Sequence, residues 1–223
     1  MMIDRAARGA HSLDAHGAMP ERPWQVLLIG GTSGVGKTSV AREVARHFDM
    51  PLSQVDGYRL MLERTTSPDA FPALHAYRSR PATHPGDAPA LCTAWAEVAH
   101  EVSRALEIVV AFHAATGAPL VLEGDTLLPR LATARVLAGV PVVRQIRAVF
   151  LHEPGEARLA ARLATRGRGY QLLTADARRC ELLRNMAYGR WLASEAARAG
   201  CAVVEPEDGV VATAERIVSL LSR

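Results

Sequence analysis

Apolar residues along this chain follow two rhythms. Val26-Leu27-Leu28-Ile29 is a short uninterrupted apolar run closed by Gly30-Gly31, the pattern of a strand buried on both faces of a parallel sheet. After Lys37, Val40, Val44 and Phe48 recur at four-residue steps with Arg42, Glu43 and Arg46 between them, which predicts an amphipathic helix. Similar short apolar runs occupy 51–56, 119–123, 146–152 and 201–205, each followed by enough chain for a helix. Right-handed crossovers between parallel strands need about a dozen residues and lay a helix on one face of the sheet. The alternation therefore predicts an α/β fold of three layers, α/β/α, around about five parallel strands.

One connection is much longer than a crossover requires. Between residues 58 and 117, Leu91, Trp95, Val98, Val102, Leu106 and Val109 recur at three- and four-residue steps, which predicts one long helix. Ahead of it Pro68, Pro72, Pro81, Pro85 and Pro89 cut the chain into short helical pieces and loop. Residues 1–22, poor in large apolar side chains, read as a tail, and 23–223 as one domain with 58–117 inserted.

Composition narrows the class without naming it. The 223 residues are 49% hydrophobic and 22% charged, which excludes collagen, coiled coil and wholesale disorder. No apolar run approaches the roughly 18–20 residues that cross a bilayer, so the expectation is a cytoplasmic protein without a membrane partner. Cys92, Cys180 and Cys201 lie far apart with no metal-ligand spacing and read as reduced thiols. Although the pI is near 9.0, the basic residues form no long run interleaved with aromatics, which argues against nucleic acid. Of 26 basic residues, Lys37 is the only lysine, in a chain that otherwise uses arginine throughout.

That lysine lies in the strongest motif. Gly31-Thr32-Ser33-Gly34-Val35-Gly36-Lys37-Thr38 fits GxxxxGK[ST] and falls between the predicted strand and the predicted helix, where such a loop must sit. Its glycines let successive N–H groups turn inward around a phosphate, and the helix that follows, opening near Ser39, adds unpaired N–H groups and the positive end of its dipole. Lys37 reaches β and γ oxygens as a compact charge, and the Thr38 hydroxyl is a ligand for Mg2+ bridging them. Mg2+ is the expected metal, and no NKxD guanine-reading motif is present.

Three carboxylates and a basic stripe extend the reading. Asp56 and Glu123 close apolar runs at the carboxyl edge of the expected sheet, where ligands bind in open α/β folds, and Asp125 follows two residues later. Asp56 is the preferred general base and Glu123 the preferred metal ligand, with the two roles exchangeable and helix capping the alternative for each. Arg158, Arg162 and Arg166 fall four residues apart ahead of Gly167-Arg168-Gly169. A lid over 154–175 carrying Arg166 and Arg168 onto the transferred phosphoryl group is the expectation.

Together, 29–38, Val55-Asp-Gly-Tyr-Arg59, Phe71-Pro-Ala-Leu-His-Ala-Tyr77 and Leu122-Glu-Gly-Asp125 resemble the 2-phosphoglycerate kinase-like members of the P-loop kinases. The resemblance implies a P-loop kinase fold, ATP with Mg2+, an acceptor hydroxyl beside Asp56, and Arg59, His75 and Arg130 as acceptor-site candidates; Asp125 is a further candidate from its place after the strand. The expected activity is transfer of the γ-phosphoryl group of ATP to a small metabolite by a monomer or homodimer. Antibiotic or nucleoside phosphorylation, and a nucleotide-driven switch with a macromolecular partner, are the competing readings.

Overall fold

A computed structural model describes residues 22–80, 83–165 and 169–222. Five strands, β1 (Val26–Gly31), β2 (Leu52–Gln54), β3 (Leu120–Gly124), β6 (Ile146–Leu151) and β7 (Ala202–Val204), form one sheet in the order β2-β3-β1-β6-β7. Every pairing in it is parallel. β4 (Val136–Leu137) and β5 (Val140–Pro141) make a separate antiparallel hairpin that the sequence pattern did not predict.

β1 shows why a continuous apolar run marks a central strand. Side chains alternate across a strand, and here Leu27 and Ile29 enter one hydrophobic cluster while Val26 and Leu28 enter another. The first cluster is closed by α1 (Lys37–His47), α6 (Glu156–Thr165) and α8 (Val210–Leu221) through Val40, Val44, Leu159, Leu163 and Ile217. The second is closed by α4 (Ala88–Thr116), whose Val98, Val102, Leu106 and Val110 are buried. Each such side chain contributes about 1.5–3 kcal/mol relative to solvent exposure. The three-layer α/β/α architecture follows from β1 having no polar face.

The long insertion is helical, as expected: α2 (Val55–Thr65), α3 (Pro72–Arg78) and then α4. α7 (Ala175–Arg198) packs its Tyr188, Leu192 and Ala196 against Phe150 and Ala99. α5 (Arg130–Thr133) is a single turn after β3. The tail expected over 1–22 lies outside the described residues except for Arg22, whose guanidinium donates to the Phe48 carbonyl at 2.7 Å.

One boundary differs from expectation in a way that bears on the site. The apolar run at 51–56 was expected to end as a strand at Asp56, but β2 stops at Gln54 and α2 begins at Val55. No turn residue separates them, because the buried Val55 side chain settles into space that Gly124 leaves open: a Cβ at Gly124 would lie 2.5 Å from the Val55 Cβ. Asp56 is therefore a first-turn helix residue.

Gly31 ends β1 with φ +138°, and a Cβ there would meet the Leu151 carbonyl oxygen at 2.4 Å. That oxygen is backbone of the central sheet, so it does not yield cheaply. Gly31→Ala is expected to destabilise the fold by about 1–3 kcal/mol in urea titration. A variant as stable as the parent would show that β1 and β6 shift apart at no cost.

Candidate active site

The loop between β1 and α1 leads into a helix whose N-terminus has no side-chain cap. α1 starts after Gly36 with no acidic residue in its first turn, so no carboxylate of its own offsets the positive end of its dipole. At Gly34, with φ +87°, Leu159 and Leu163 of α6 pack so close that a Cβ would lie 3.0–3.1 Å from them. The Lys37 ammonium donates to the Thr32 carbonyl at 2.9 Å, across the mouth of the loop.

Carboxylates meet this loop from β3. Thr38 Oγ1 donates to Glu123 Oε1 at 2.7 Å, and Ser33 Oγ donates to Asp125 Oδ2 at 3.2 Å. Glu123 is 4% exposed, in register opposite Ile29 of β1, so the sheet itself fixes its position. A pocket of 30 Å³ is lined by Lys37, Thr38, Asp56, Glu123 and Asp125. Among the described residues no three His, Cys, Asp or Glu side chains form a metal cage. Mg2+ does not need one: it keeps waters and shares its octahedron between one or two protein oxygens and substrate phosphates. The Thr38 hydroxyl and Glu123 carboxylate fit that ion, and supply the hard oxygen ligands it prefers.

Two larger clefts open on either side. One, of 690 Å³, runs from Ser33–Val40 past Arg162 to Pro206–Val210, the loop that leads into α8. The other, of 370 Å³, shares Ser33, Asp56 and Asp125 with the small pocket and is walled by Arg59, Arg78, Arg80, Trp95 and Arg184. Arg59 and Arg184 both lie over the Trp95 ring, at 5.9 and 5.8 Å from its centroid. Arg184 also donates to the Tyr77 hydroxyl, and Arg59 is paired with Glu63. Trp95 packs against the hydrophobic core on one side and borders this cleft on the other.

The expected acceptor residues separate into two groups. Asp56, Arg59 and Asp125 come together in the second cleft. His75 shares a hydrogen bond with Thr66, and Arg130 is ion-paired with Glu107; neither lines either cleft. Arg166 and Arg168 lie outside the described residues. The rest of the arginine stripe does lie on one helix, but it is held by a carboxylate: Glu153, 1% exposed, takes Arg158 at 2.9 Å and has Arg162 at 3.8 Å. Arg162 in addition donates to the Val35 carbonyl at 3.3 Å, which sets it on the rim of the larger cleft. Glu153 was findable, since it follows a strand as Asp125 does. Arg78, Arg80 and Arg184 carried no local signal.

Burial raises the pKa of the Cys92, Cys180 and Cys201 thiols, so all three stay protonated near neutrality and are poor nucleophiles. Tyr188 is pushed well above the usual phenol range by burial and by the Asp125 charge. Its hydroxyl remains a donor, to the Asp125 carbonyl at 2.6 Å.

A family model described as "ATPase family associated with various cellular activities (AAA)" matches residues 27–109. Among solved structures, a sugar kinase from Janibacter sp. HTCC2649 is 18% identical, with 89% of this chain and 95% of that one covered at a TM-score of 0.51. A gluconokinase from Sinorhizobium meliloti 1021 is 16% identical over 91% of this chain and 94% of its own, TM-score 0.50. Shikimate kinase from Acinetobacter baumannii, in complex with shikimate, is 16% identical over 89% and 93%, TM-score 0.50. No curated protein matches the sequence significantly. The chain has the fold of the P-loop nucleoside triphosphatases. Within that class its architecture is the one shared by these small-molecule kinases. Among the described residues no helix is long and apolar enough to cross a membrane.

Proposed function

We propose that the protein is an ATP-dependent phosphotransferase that moves the γ-phosphoryl group to a small metabolite bearing an anionic group. The observation that carries this reading is the 370 Å³ cleft with four arginines in its walls, sharing Ser33, Asp56 and Asp125 with the pocket at the Lys37 end of the phosphate loop. Planar guanidinium groups recognise phosphate or carboxylate through paired N–H donors. The bare face of Trp95 that a flat drug-like acceptor would need is taken up by Arg59 and Arg184.

In this reading the inward amides and Lys37 hold the β- and γ-phosphates, Arg162 closes the rim, and the arginine cleft orients the acceptor for in-line attack. Asp56 accepts the proton of the attacking hydroxyl; its place in the walls of both the small pocket and the acceptor cleft supports that role. Thr38 and Glu123 would hold Mg2+, which supplies charge neutralisation at the phosphates when bound.

The test is ADP release from Mg·ATP across a panel of phosphorylated hydroxy acids, sugar acids, neutral polyols, nucleosides and aminoglycosides. Stimulation by anionic acceptors and not by neutral ones is expected. Equal ADP release with and without every acceptor would favour an ATPase, the activity in the description of the matched family model. Stimulation confined to nucleosides or aminoglycosides would overturn the anionic-acceptor reading.

A further inference from the structure

Asn185 is 3% exposed in the middle of α7, where a polar amide is stable only if its groups are bonded. Its Nδ2 donates to the Glu181 carbonyl one turn earlier, at 2.9 Å, which fixes the amide so that Oδ1 points away from the helix. Oδ1 accepts the Thr32 hydroxyl at 2.7 Å, a bond that spans 153 positions of sequence. Thr32 is itself 1% exposed, and its carbonyl receives the Lys37 ammonium. Gly189, one turn further along α7, lets the helix approach: a Cβ there would lie 3.2 Å from Thr32 Cγ2.

A threonine hydroxyl that must donate to Asn185 has one orientation, and the peptide that carries it is held with it. From this chain of bonds we infer that Asn185 is a positioning residue for the phosphate loop. It acts through the Thr32 hydroxyl to aim the Thr32 carbonyl, and so sets where the Lys37 ammonium stands before a phosphate arrives. Asn185 touches no substrate in this arrangement; its effect on binding is carried wholly by Thr32. The inference rests on the loop being a nucleotide site.

The same turn of α7 holds the rest of the site. Arg184, next in the chain to Asn185, lines the acceptor cleft, and Tyr188 holds the Asp125 carbonyl. Loop, carboxylate and acceptor wall are thereby referred to one rigid helix.

A double-mutant cycle read by calorimetric titration with Mg·ADP tests the inference. Asn185→Leu and Thr32→Val remove the bond from either side with nearly isosteric apolar groups, and each is expected to weaken Mg·ADP about tenfold. Together they are expected to lose no more than either alone, because both cut the same link. Thr32→Ser keeps the hydroxyl and is expected to lose several-fold less affinity than Thr32→Val. Losses that multiply to about a hundredfold, or parent-like affinity in both single variants, would overturn the inference. If Asn185→Leu does not fold, Thr32→Val against Thr32→Ser reads the same bond from the loop side. Failure of the parent chain to bind Mg·ADP would instead defeat the nucleotide-site reading itself.

Discussion

Lys37→Ala is expected to lower kcat/KM for phosphoryl transfer by about 10³-fold and to weaken Mg·ATP binding, with little change in melting temperature. The asymmetry follows from what the side chain touches. Its ammonium donates to the Thr32 carbonyl at 2.9 Å, while the apolar core of α1 is made by Val40, Ala41 and Val44 in the turns that follow. Truncation takes one donor from a backbone carbonyl, a loss of about 1 kcal/mol. It also relieves a largely desolvated charge, which offsets part of that loss. Transfer has no such compensation, because charge accumulates on the γ-phosphoryl oxygens where the ammonium would reach. Lys37→Arg is expected to restore little: a guanidinium is wider than an ammonium and does not fit between the loop amides. Coupled ADP assays beside thermal melts would check both halves. An unfolded Lys37→Ala chain would make the residue structural, and retained turnover would remove it from the mechanism.

The phosphate loop was legible because its chemistry is local. Amides that turn inward need glycines at set spacing, and the lysine and threonine that follow must lie within one helical turn, so eight consecutive residues contain the whole device. The strands were legible for a related reason: a central parallel strand such as β1 has no polar face, and a run of four apolar residues is its direct trace. Where local pattern ran out, the reading slipped. Asp56 followed apolar residues and was read as a strand end, whereas Val55, settling over Gly124, starts the helix two residues sooner than the pattern indicated. The hairpin of β4 and β5 is two residues long on each side, too short for any alternation to register. The arginine stripe was seen as a stripe, but nothing in its spacing revealed that Glu153 holds Arg158 and stands beside Arg162. Asn185 and Arg184 are further still from legibility, since their partners Thr32 and Tyr77 lie more than a hundred residues away in sequence. Periodicity places a residue on a face of its helix; what meets that face is decided by topology.

Asp56→Asn is expected to reduce kcat by about 10²–10⁴-fold while leaving Mg·ATP affinity nearly unchanged. Asparagine keeps the size and polarity of the side chain and its place near Arg59, whose Nε lies 3.9 Å from Asp56 Oδ1, but it cannot take a proton from an acceptor hydroxyl. Position in the first turn of α2 helps the role: the side chain is 41% exposed and stands between the phosphate end of the small pocket and the arginine-lined cleft. Asp125 borders the same two spaces, and the two carboxylates are separable by their other bonds. Ser33 of the phosphate loop donates to Asp125, so Asp125→Asn is expected to disturb the loop and raise KM for ATP, a change Asp56→Asn does not make. A loss confined to kcat in Asp56→Asn, with a shift in ATP KM in Asp125→Asn, assigns the base to α2 and the loop support to the segment after β3. The reverse pattern, with Asp56→Asn near parental turnover and Asp125→Asn inactive at saturating ATP, would move the base to Asp125 and leave Asp56 to orient the acceptor through Arg59.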